Sequence, residues 1–155
     1  MLFRLVARCI IYDEDRERLL VQLSKRGDFY RLPGGRVRAE ETLIQALERE
    51  LREELGFKKF DKTPPLAFIV ESFFQRKSGI VHELGFYFLC EPESNDIRPK
   101  EEHLKIVWVP IGEISQDNFR PRVLAPYIRK LPELIATFRS SPAPTYLVNI
   151  DLRES

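Results

Sequence analysis

Three glutamates, Glu50, Glu53 and Glu54, form a group of candidate metal ligands that a helix would bring to one side. On a helix these carboxylates share one side, where each like-charged pair costs about 0.2–0.5 kcal/mol. Glu53 and Glu54 also precede a helix-ending glycine, where the negative end of the helix dipole adds roughly 0.3–1 kcal/mol per carboxylate. A hard cation reverses the sign of these terms, and Mg²⁺ prefers oxygen ligands. The spacing therefore predicts a site for Mg²⁺, with Mn²⁺ as a substitute.

The helix that presents these glutamates is predicted over residues 42–55. Thr42 with Gln45 three residues later has the form of a capping box, and Gly56 suits the left-handed residue that closes a helix. Leucines recur every four residues and predict an apolar stripe that packs on the core; they are Leu43, Leu47, Leu51 and Leu55. The acidic side is thereby expected to face outward in a fixed place.

Residues next to the glutamates extend the predicted site. Gly34 and Gly35 let the backbone approach a ligand closely, and a carbonyl there could serve as a further oxygen ligand. Arg49 lies four residues before Glu53, and its planar guanidinium can hold a carboxylate in one orientation. Glu41 can reach back over the first helical turn. The alternative interpretation is a solvated charged helix, which leaves the glycine pair and the acids at the negative end of the dipole unexplained.

The segment 35–57 resembles the Nudix box, in which glycine, glutamate, arginine and paired glutamates stand at fixed spacing. Every fixed position is filled, by Gly35, Glu41, Arg49, Glu50, Leu51, Glu53, Glu54 and Gly56. Phe57 occupies a slot that usually holds an aliphatic residue, and Glu40 stands where many members have glycine. These two departures are local.

The resemblance implies an α+β Nudix fold, an α/β/α sandwich with a mixed sheet, as a single domain over residues 1–155. It implies Mg²⁺-dependent hydrolysis of the diphosphate linkage in a nucleoside diphosphate derivative, namely a nucleotide, nucleotide sugar or dinucleotide. The implied metal ligands are Glu50, Glu53, Glu54 and the Gly35 carbonyl. The implied catalytic set is Glu53, Glu50, Arg49, which would orient Glu53, and Glu41, which would support the loop–helix junction.

The general base is left open, because in the family it varies and can lie outside the box. A box glutamate is one candidate, and Glu83, Glu101 and Glu102 are the others. Each of the last three could equally be a solvated surface acid.

Substrate contacts are predicted from basic and aromatic side chains around the glycine pair. Arg31 and Arg36 could bind phosphates, and Phe29 and Phe74 could stack a base. The alternatives are a solvated basic loop and ordinary core aromatics. The proline often found downstream of the box in ADP-ribose hydrolases is absent, since Ser72 and Phe73 stand there. That absence lowers the case for ADP-ribose.

Two other functions are weighed against hydrolysis of a small nucleotide. A domain that senses a nucleotide without cutting it usually loses box glutamates, and none is lost here. A hydrolase acting on the 5′ end of RNA fits poorly with a net charge of +1 and no basic stripe, so nucleic acid is not the expected partner. The expected partner is a small nucleotide-type substrate, and a homodimer is left open because dimers are common in the family.

The composition is that of an ordinary globular protein. The 155 residues are 43% hydrophobic and 32% charged, as in one globular domain. No signal peptide or membrane span is recognised, and Cys9 and Cys90 are interpreted as two buried thiols in a reducing cytosol, which predicts a cytoplasmic protein.

The remaining elements are predicted from hydrophobic periodicity and turn residues. One helix is predicted over residues 119–138, with Pro126 and Pro132 in first turns or at kinks. A last strand or loose tail is expected at 145–152. The predicted strands span residues 2–12, 19–23, 66–76, 80–90 and 106–109. Together they suggest a mixed sheet with helices on both faces.

Overall fold

A five-stranded sheet forms the centre of the computed structural model, which describes residues 2–91, 105–140 and 143–154. Its strands, in chain order, are β1 (Leu2–Ile10), β5 (Gly34–Arg36), β6 (Leu66–Arg76), β7 (Gly79–Leu89) and β9 (Thr145–Glu154). They lie in the order β5-β1-β7-β6-β9. The pairs β1–β7 and β6–β9 are parallel, while β1–β5 and β6–β7 are antiparallel. The predicted mixed sheet is confirmed.

A second, smaller sheet was not predicted. It pairs β3 (Arg18–Leu23) with β2 (Tyr12–Asp13), β4 (Tyr30–Arg31) and β8 (Ile106–Pro110). Alternate residues of β3 point to different cores, because Leu19 and Val21 join one apolar cluster and Leu20 joins the other. The strand β4 is short, and it places Arg31 beside the central sheet.

The helix α1 (Leu43–Leu55) follows the predicted bounds to within one residue. Both halves of the Thr42–Gln45 capping box are formed, and Gly56 is left-handed with φ 73°. Leu47, Leu51 and Leu55 are buried against Ala7 and Cys9 of β1. Burying each leucine contributes about 1.5–3 kcal/mol, which exceeds the repulsion within the glutamate cluster.

The other face of the central sheet is covered by two helices where one was predicted. A 3₁₀ turn at Arg122–Leu124 leads into α2 (Ala125–Arg129), and α3 (Leu131–Ser140) follows directly. The prediction of one helix over residues 119–138 is wrong, because residues 119–121 are not helical and the chain forms two helices after them. Pro126 and Pro132 are each the second residue of a helix, so their predicted place in first turns is confirmed. Ile128, Ile135 and Phe138 pack into the larger apolar cluster. Helices therefore lie on both faces, as an α/β/α sandwich requires.

The two cysteines are joined, so the prediction of two free thiols is wrong. Cys9 and Cys90 form a disulfide with their Cα atoms 5.6 Å apart. The parallel pairing of β1 with β7 brings together residues that are 81 positions apart in the chain. The cysteines therefore give no support to the predicted reducing compartment.

Every helix within the described ranges falls short of the length and apolarity that crossing a bilayer requires.

Candidate active site

The glycine pair lies at the edge of the central sheet, where β5 pairs with β1. Gly34 is opposite Arg8, and Gly35 is opposite Ala7. Gly34 has φ +133°, and a Cβ atom there would lie 2.2 Å from the Ala7 carbonyl oxygen. Only glycine fits this close approach of two backbones.

Glutamates of α1 reach this edge from the neighbouring layer. Glu54 is 5% exposed, and its Oε2 accepts a hydrogen bond of 3.2 Å from the Gly34 N–H. A Cβ atom on Gly35 would lie 2.6 Å from the Oε1 of Glu50, so the absence of a side chain leaves room for that carboxylate. We call the cavity that these four residues line, about 390 Å³ in volume, the glutamate cavity.

Arg49 connects the acids of the predicted site. Its guanidinium donates to both carboxylate oxygens of Glu41, at 2.7 and 3.0 Å, and to Oε1 of Glu50 at 2.9 Å. It also donates to the carbonyl of Arg36 at 3.0 Å. Glu53 is only loosely paired with it, at 3.8 Å. In this geometry Arg49 orients Glu50 and anchors the loop before α1 more directly than it orients Glu53.

The three box glutamates on α1, Glu50, Glu53 and Glu54, have different surroundings. Glu53 is exposed, with 49% of its side chain accessible, whereas Glu54 is buried and Glu50 is partly buried. In the part of the chain that the structure describes, no three Asp, Glu, His or Cys side chains meet as a metal-binding group. The donor chemistry nevertheless fits Mg²⁺, because Glu50, Glu54 and the Gly35 backbone offer oxygen atoms to one open cavity and Glu53 lies on the same helix.

The hydrogen bonds from Arg49 lower the pKa of Glu41 to about 2 from the ordinary 4.5. A carboxylate whose pKa is lower in the folded protein stabilises it fully above the unfolded value and less as the pH falls through the folded value. The stabilising effect of Glu41 should therefore be complete above about pH 5 and disappear between about pH 4.5 and 2.

This prediction is checked by urea unfolding of the wild-type chain and Glu41→Gln across that pH range. The difference between their unfolding midpoints should be largest near pH 6 and shrink toward pH 2. Glu40→Gln is the matched control, because Glu40 is exposed and adjacent. A difference for Glu41→Gln that does not vary with pH would contradict the role assigned to this ion pair.

Of the candidates for a base outside the box, the structure describes Glu83. It is 7% exposed, and its Oε1 accepts a hydrogen bond of 2.8 Å from Arg4. Glu83 thus lies in an ion pair, and it lines a different cavity from the one that Glu50 and Glu54 line. Glu101 and Glu102 lie outside the described residues.

The four predicted substrate residues fall around two adjoining cavities. Arg36 lines the glutamate cavity, Phe29 and Phe74 line a second cavity, and Arg31 lines both. Each phenylalanine ring is contacted by guanidinium groups, Phe29 at 4.9 and 5.4 Å and Phe74 at 5.3 and 5.4 Å from the ring centroid. These contacts indicate that the two rings hold arginine side chains in place. They do not favour the predicted role, in which the rings would stack on a base.

Several residues that line the second cavity were not predicted as site residues. They are Arg4, Arg8, Arg76 and Arg120, with Ser72 and Asn149. The sequence held one signal for them, since Arg4 and Arg8 alternate with apolar residues on the first strand. Arg76 and Arg120 belong to distant segments and gave no signal.

The side chain of His82 is held by two residues of the neighbouring strand β6. Its Nε2 lies 2.7 Å from Oε2 of Glu71, and its ring stacks on Phe73 at 4.2 Å.

Comparison with known proteins supports the resemblance found in the box. The NUDIX domain family matches residues 2–131. Putative nudix hydrolase 1 of Caenorhabditis elegans is 31% identical over 132 residues, covering 82% of this chain and 33% of that protein, so the chain spans about a third of its relative. Dihydroneopterin triphosphate diphosphatase of Haemophilus influenzae is 31% identical over 110 residues, covering 64% of this chain and 70% of that protein.

Solved structures share the fold. A MutT NUDIX hydrolase from Burkholderia pseudomallei superposes with a TM-score of 0.63 at 23% identity, covering 81% of this chain and 96% of that chain. An ADP-ribose pyrophosphatase from Streptococcus suis gives a TM-score of 0.57 at 15% identity, covering 92% and 98%. The box is complete, and the helix that carries three of its glutamates faces the edge of the central sheet. Because the family match also runs through nearly all of that sheet, the chain belongs to the Nudix hydrolase family.

Proposed function

We propose that this chain hydrolyses the diphosphate linkage of a nucleoside diphosphate derivative, in a single domain over residues 1–155, with Mg²⁺ held by Glu50, Glu53, Glu54 and the Gly35 carbonyl. The observation that carries this proposal is that one cavity is lined both by Glu50, Glu54 and the glycine pair and by five arginines. A cavity lined by carboxylates, which bind a cation, and by guanidinium groups, which bind phosphate oxygens, suits a phosphate chain.

The reaction adds water to one phosphorus of the linkage. The bond from that phosphorus to the bridging oxygen breaks, the second phosphate leaves with the oxygen, and one proton is released. Bound Mg²⁺ supplies neutralisation of the phosphate charge and a lowered pKa for water. The base that takes the proton is a box glutamate, Glu83, Glu101 or Glu102, and Glu53 suits the task because its carboxylate is the most accessible in the box.

The chain's own residues supply positioning. Arg49 fixes Glu50 next to Gly35, and Glu41 fixes Arg49 in turn. The bond from the Gly34 N–H holds Glu54 at the buried edge of the cavity. Holding the reacting groups in place in this way accounts for much of the rate in phosphoryl transfer.

Relatives suggest two substrate classes, since one is named for a triphosphate and one solved neighbour for ADP-ribose. A panel of nucleoside triphosphates, nucleotide sugars, ADP-ribose, dinucleotides and 5′-triphosphorylated RNA, read by chromatography, tests them. We expect a few small nucleotides to be cut with Mg²⁺ or Mn²⁺ and none when a chelator is added.

Two results would redirect the proposal. Metal binding without turnover across the panel would favour a nucleotide-sensing domain. Turnover of the RNA alone would favour an RNA 5′ pyrophosphohydrolase. A cytoplasmic location remains a prediction, to be checked by fractionation. Light scattering tests whether the chain forms a homodimer.

A further inference from the structure

The second cavity is strongly basic although the whole chain is nearly neutral. It has a volume of about 100 Å³, and we call it the arginine pocket because Arg4, Arg8, Arg31, Arg76 and Arg120 line it. The two carboxylates in its wall, Glu83 and Asp151, leave an excess of positive charge. Such a local concentration of one sign of charge attracts anions.

The two carboxylates of the pocket are already paired. Glu83 accepts from Arg4 at 2.8 Å, and Asp151 accepts at 2.6 Å from Arg122, which lies outside the pocket wall. Neither acid is therefore available to neutralise Arg31 or Arg76 without giving up a short ion pair.

Arg31 is the side chain that most clearly lacks an anion. Its Nε is buried and has no hydrogen-bond partner among the described residues, and the same holds for the Ser72 hydroxyl in the same wall. Burial and the nearby charges of Arg8, Arg76 and Arg4 lower the pKa of Arg31 to about 10. The guanidinium is still charged at neutral pH. A bound anion would therefore satisfy the buried Nε–H donor and balance the charge of Arg31.

Other arginines of the pocket are held in place. Arg8 donates to the carbonyls of Leu32 and Gly34, at 2.9 and 3.4 Å. Arg120 donates to three carbonyls between residues 116 and 119. Guanidinium groups fixed in this way recognise the oxygens of phosphate by paired hydrogen bonds, with little ordering left to do on binding.

The arginine pocket adjoins the glutamate cavity. Arg4, Arg8, Arg31 and Arg76 line both cavities. A substrate whose diphosphate lies beside Glu50 and Glu54 can therefore extend across these four residues.

We propose that the arginine pocket binds a phosphate group of the substrate other than the diphosphate that is cleaved, so that the chain prefers nucleotides with an additional phosphate, such as a nucleoside triphosphate, to nucleoside diphosphate sugars with a neutral sugar. The substrate preference rests on the proposed hydrolysis. The binding of phosphate rests on the arginine pocket alone.

The first arm of the test measures binding without turnover. Tripolyphosphate and orthophosphate are titrated by calorimetry, without divalent metal, into the wild-type chain, Arg31→Gln, Arg76→Gln and the control Arg129→Gln, whose arginine is exposed on α2. We expect Arg31→Gln to weaken tripolyphosphate about 10- to 100-fold, the range for hydrogen bonds to charged groups. The more exposed Arg76→Gln should weaken it less, and Arg129→Gln should leave it unchanged.

The second arm compares kcat/KM with Mg²⁺ for a nucleoside triphosphate and a nucleoside diphosphate sugar. Arg31→Gln should lower kcat/KM for the triphosphate at least tenfold more than for the sugar nucleotide. Circular dichroism and thermal unfolding establish that each variant is folded, and Arg76→Gln serves as the second variant if Arg31→Gln is not.

The outcomes separate the two proposals. Tripolyphosphate affinity that is equal in Arg31→Gln, Arg76→Gln and Arg129→Gln overturns the pocket. Weaker binding of orthophosphate, with both substrates affected equally, makes the pocket a site for free phosphate and overturns its role toward substrate. If Arg31→Gln weakens tripolyphosphate binding but the wild-type chain hydrolyses none of the substrates, the phosphate pocket is supported and the proposed function is rejected.

Discussion

Glu53→Gln should lower kcat by about 10²–10⁴-fold, the usual contribution of a group that transfers a proton in the rate-limiting step. The change keeps the shape of the side chain and removes its charge. If Glu53 acts as a metal ligand, the same loss appears together with weaker binding of Mg²⁺. Steady-state kinetics over a range of Mg²⁺ concentrations distinguishes these two roles, because only a lost ligand is partly rescued by excess metal.

Stability should respond to this change in the opposite direction. Glu53 is about half exposed, and in the last turn of α1 it faces the negative end of the dipole and two like charges. Its neutralisation should leave the free energy of unfolding unchanged or raise it by up to about 0.5 kcal/mol. Glu40→Gln, the same change at an exposed glutamate just before the box, should alter neither quantity. A variant with near-normal turnover rejects the assignment of Glu53.

The helix that carries these glutamates was predictable because its signals are local. The cap at Thr42, the leucine stripe and the closing Gly56 all lie within 15 residues of one another, and each acts through neighbours along the chain. The box is likewise contiguous, so its residues had to come together wherever the helix was placed. The role of Arg49 was less predictable, because its main partner, Glu41, lies in the preceding loop.

The arginine pocket could not be predicted, because its residues meet only through the sheet order. Arg4 faces Glu83 through the parallel register of β1 with β7, which follows from a crossover connection and not from a local pattern. Arg31 is brought there by β4 of the second sheet, which has only two residues and no periodicity. From the near-neutral net charge one could infer that a local basic patch must bind any acidic substrate, but not which residues form that patch.

The two helices after residue 119 illustrate a different limit. Hydrophobic periodicity continues through Ile128, Leu131 and Ile135, so the pattern predicts one helix. Lys130 interrupts it, and α3 restarts with Pro132 in its first turn, where the missing N–H costs nothing. Periodicity reports which face is buried and is insensitive to a break that preserves that face.

Gly35→Ala should mainly lower activity and Gly34→Ala should mainly lower stability, although the two glycines are adjacent. At Gly35 the new Cβ would meet the Glu50 carboxylate at 2.6 Å, which is the far end of a flexible side chain that can turn away. The fold should therefore survive, while kcat/KM falls about 10- to 100-fold, the usual cost of disturbing groups that orient a metal ligand. At Gly34 the new Cβ would meet the Ala7 backbone oxygen at 2.2 Å, and φ is +133°.

The backbone strain at Gly34 alone costs about 1–3 kcal/mol, and the clash with β1 adds to it, so this variant should lose stability first. Urea unfolding and steady-state kinetics on both variants check the contrast. A double-mutant cycle then tests the cause at Gly35, because Glu50→Asp shortens the side chain and makes room for the new methyl group. The double variant should lose less activity than the product of the single losses. Purely multiplicative losses would mean that Gly35 and Glu50 act independently and that the glycine serves the backbone alone.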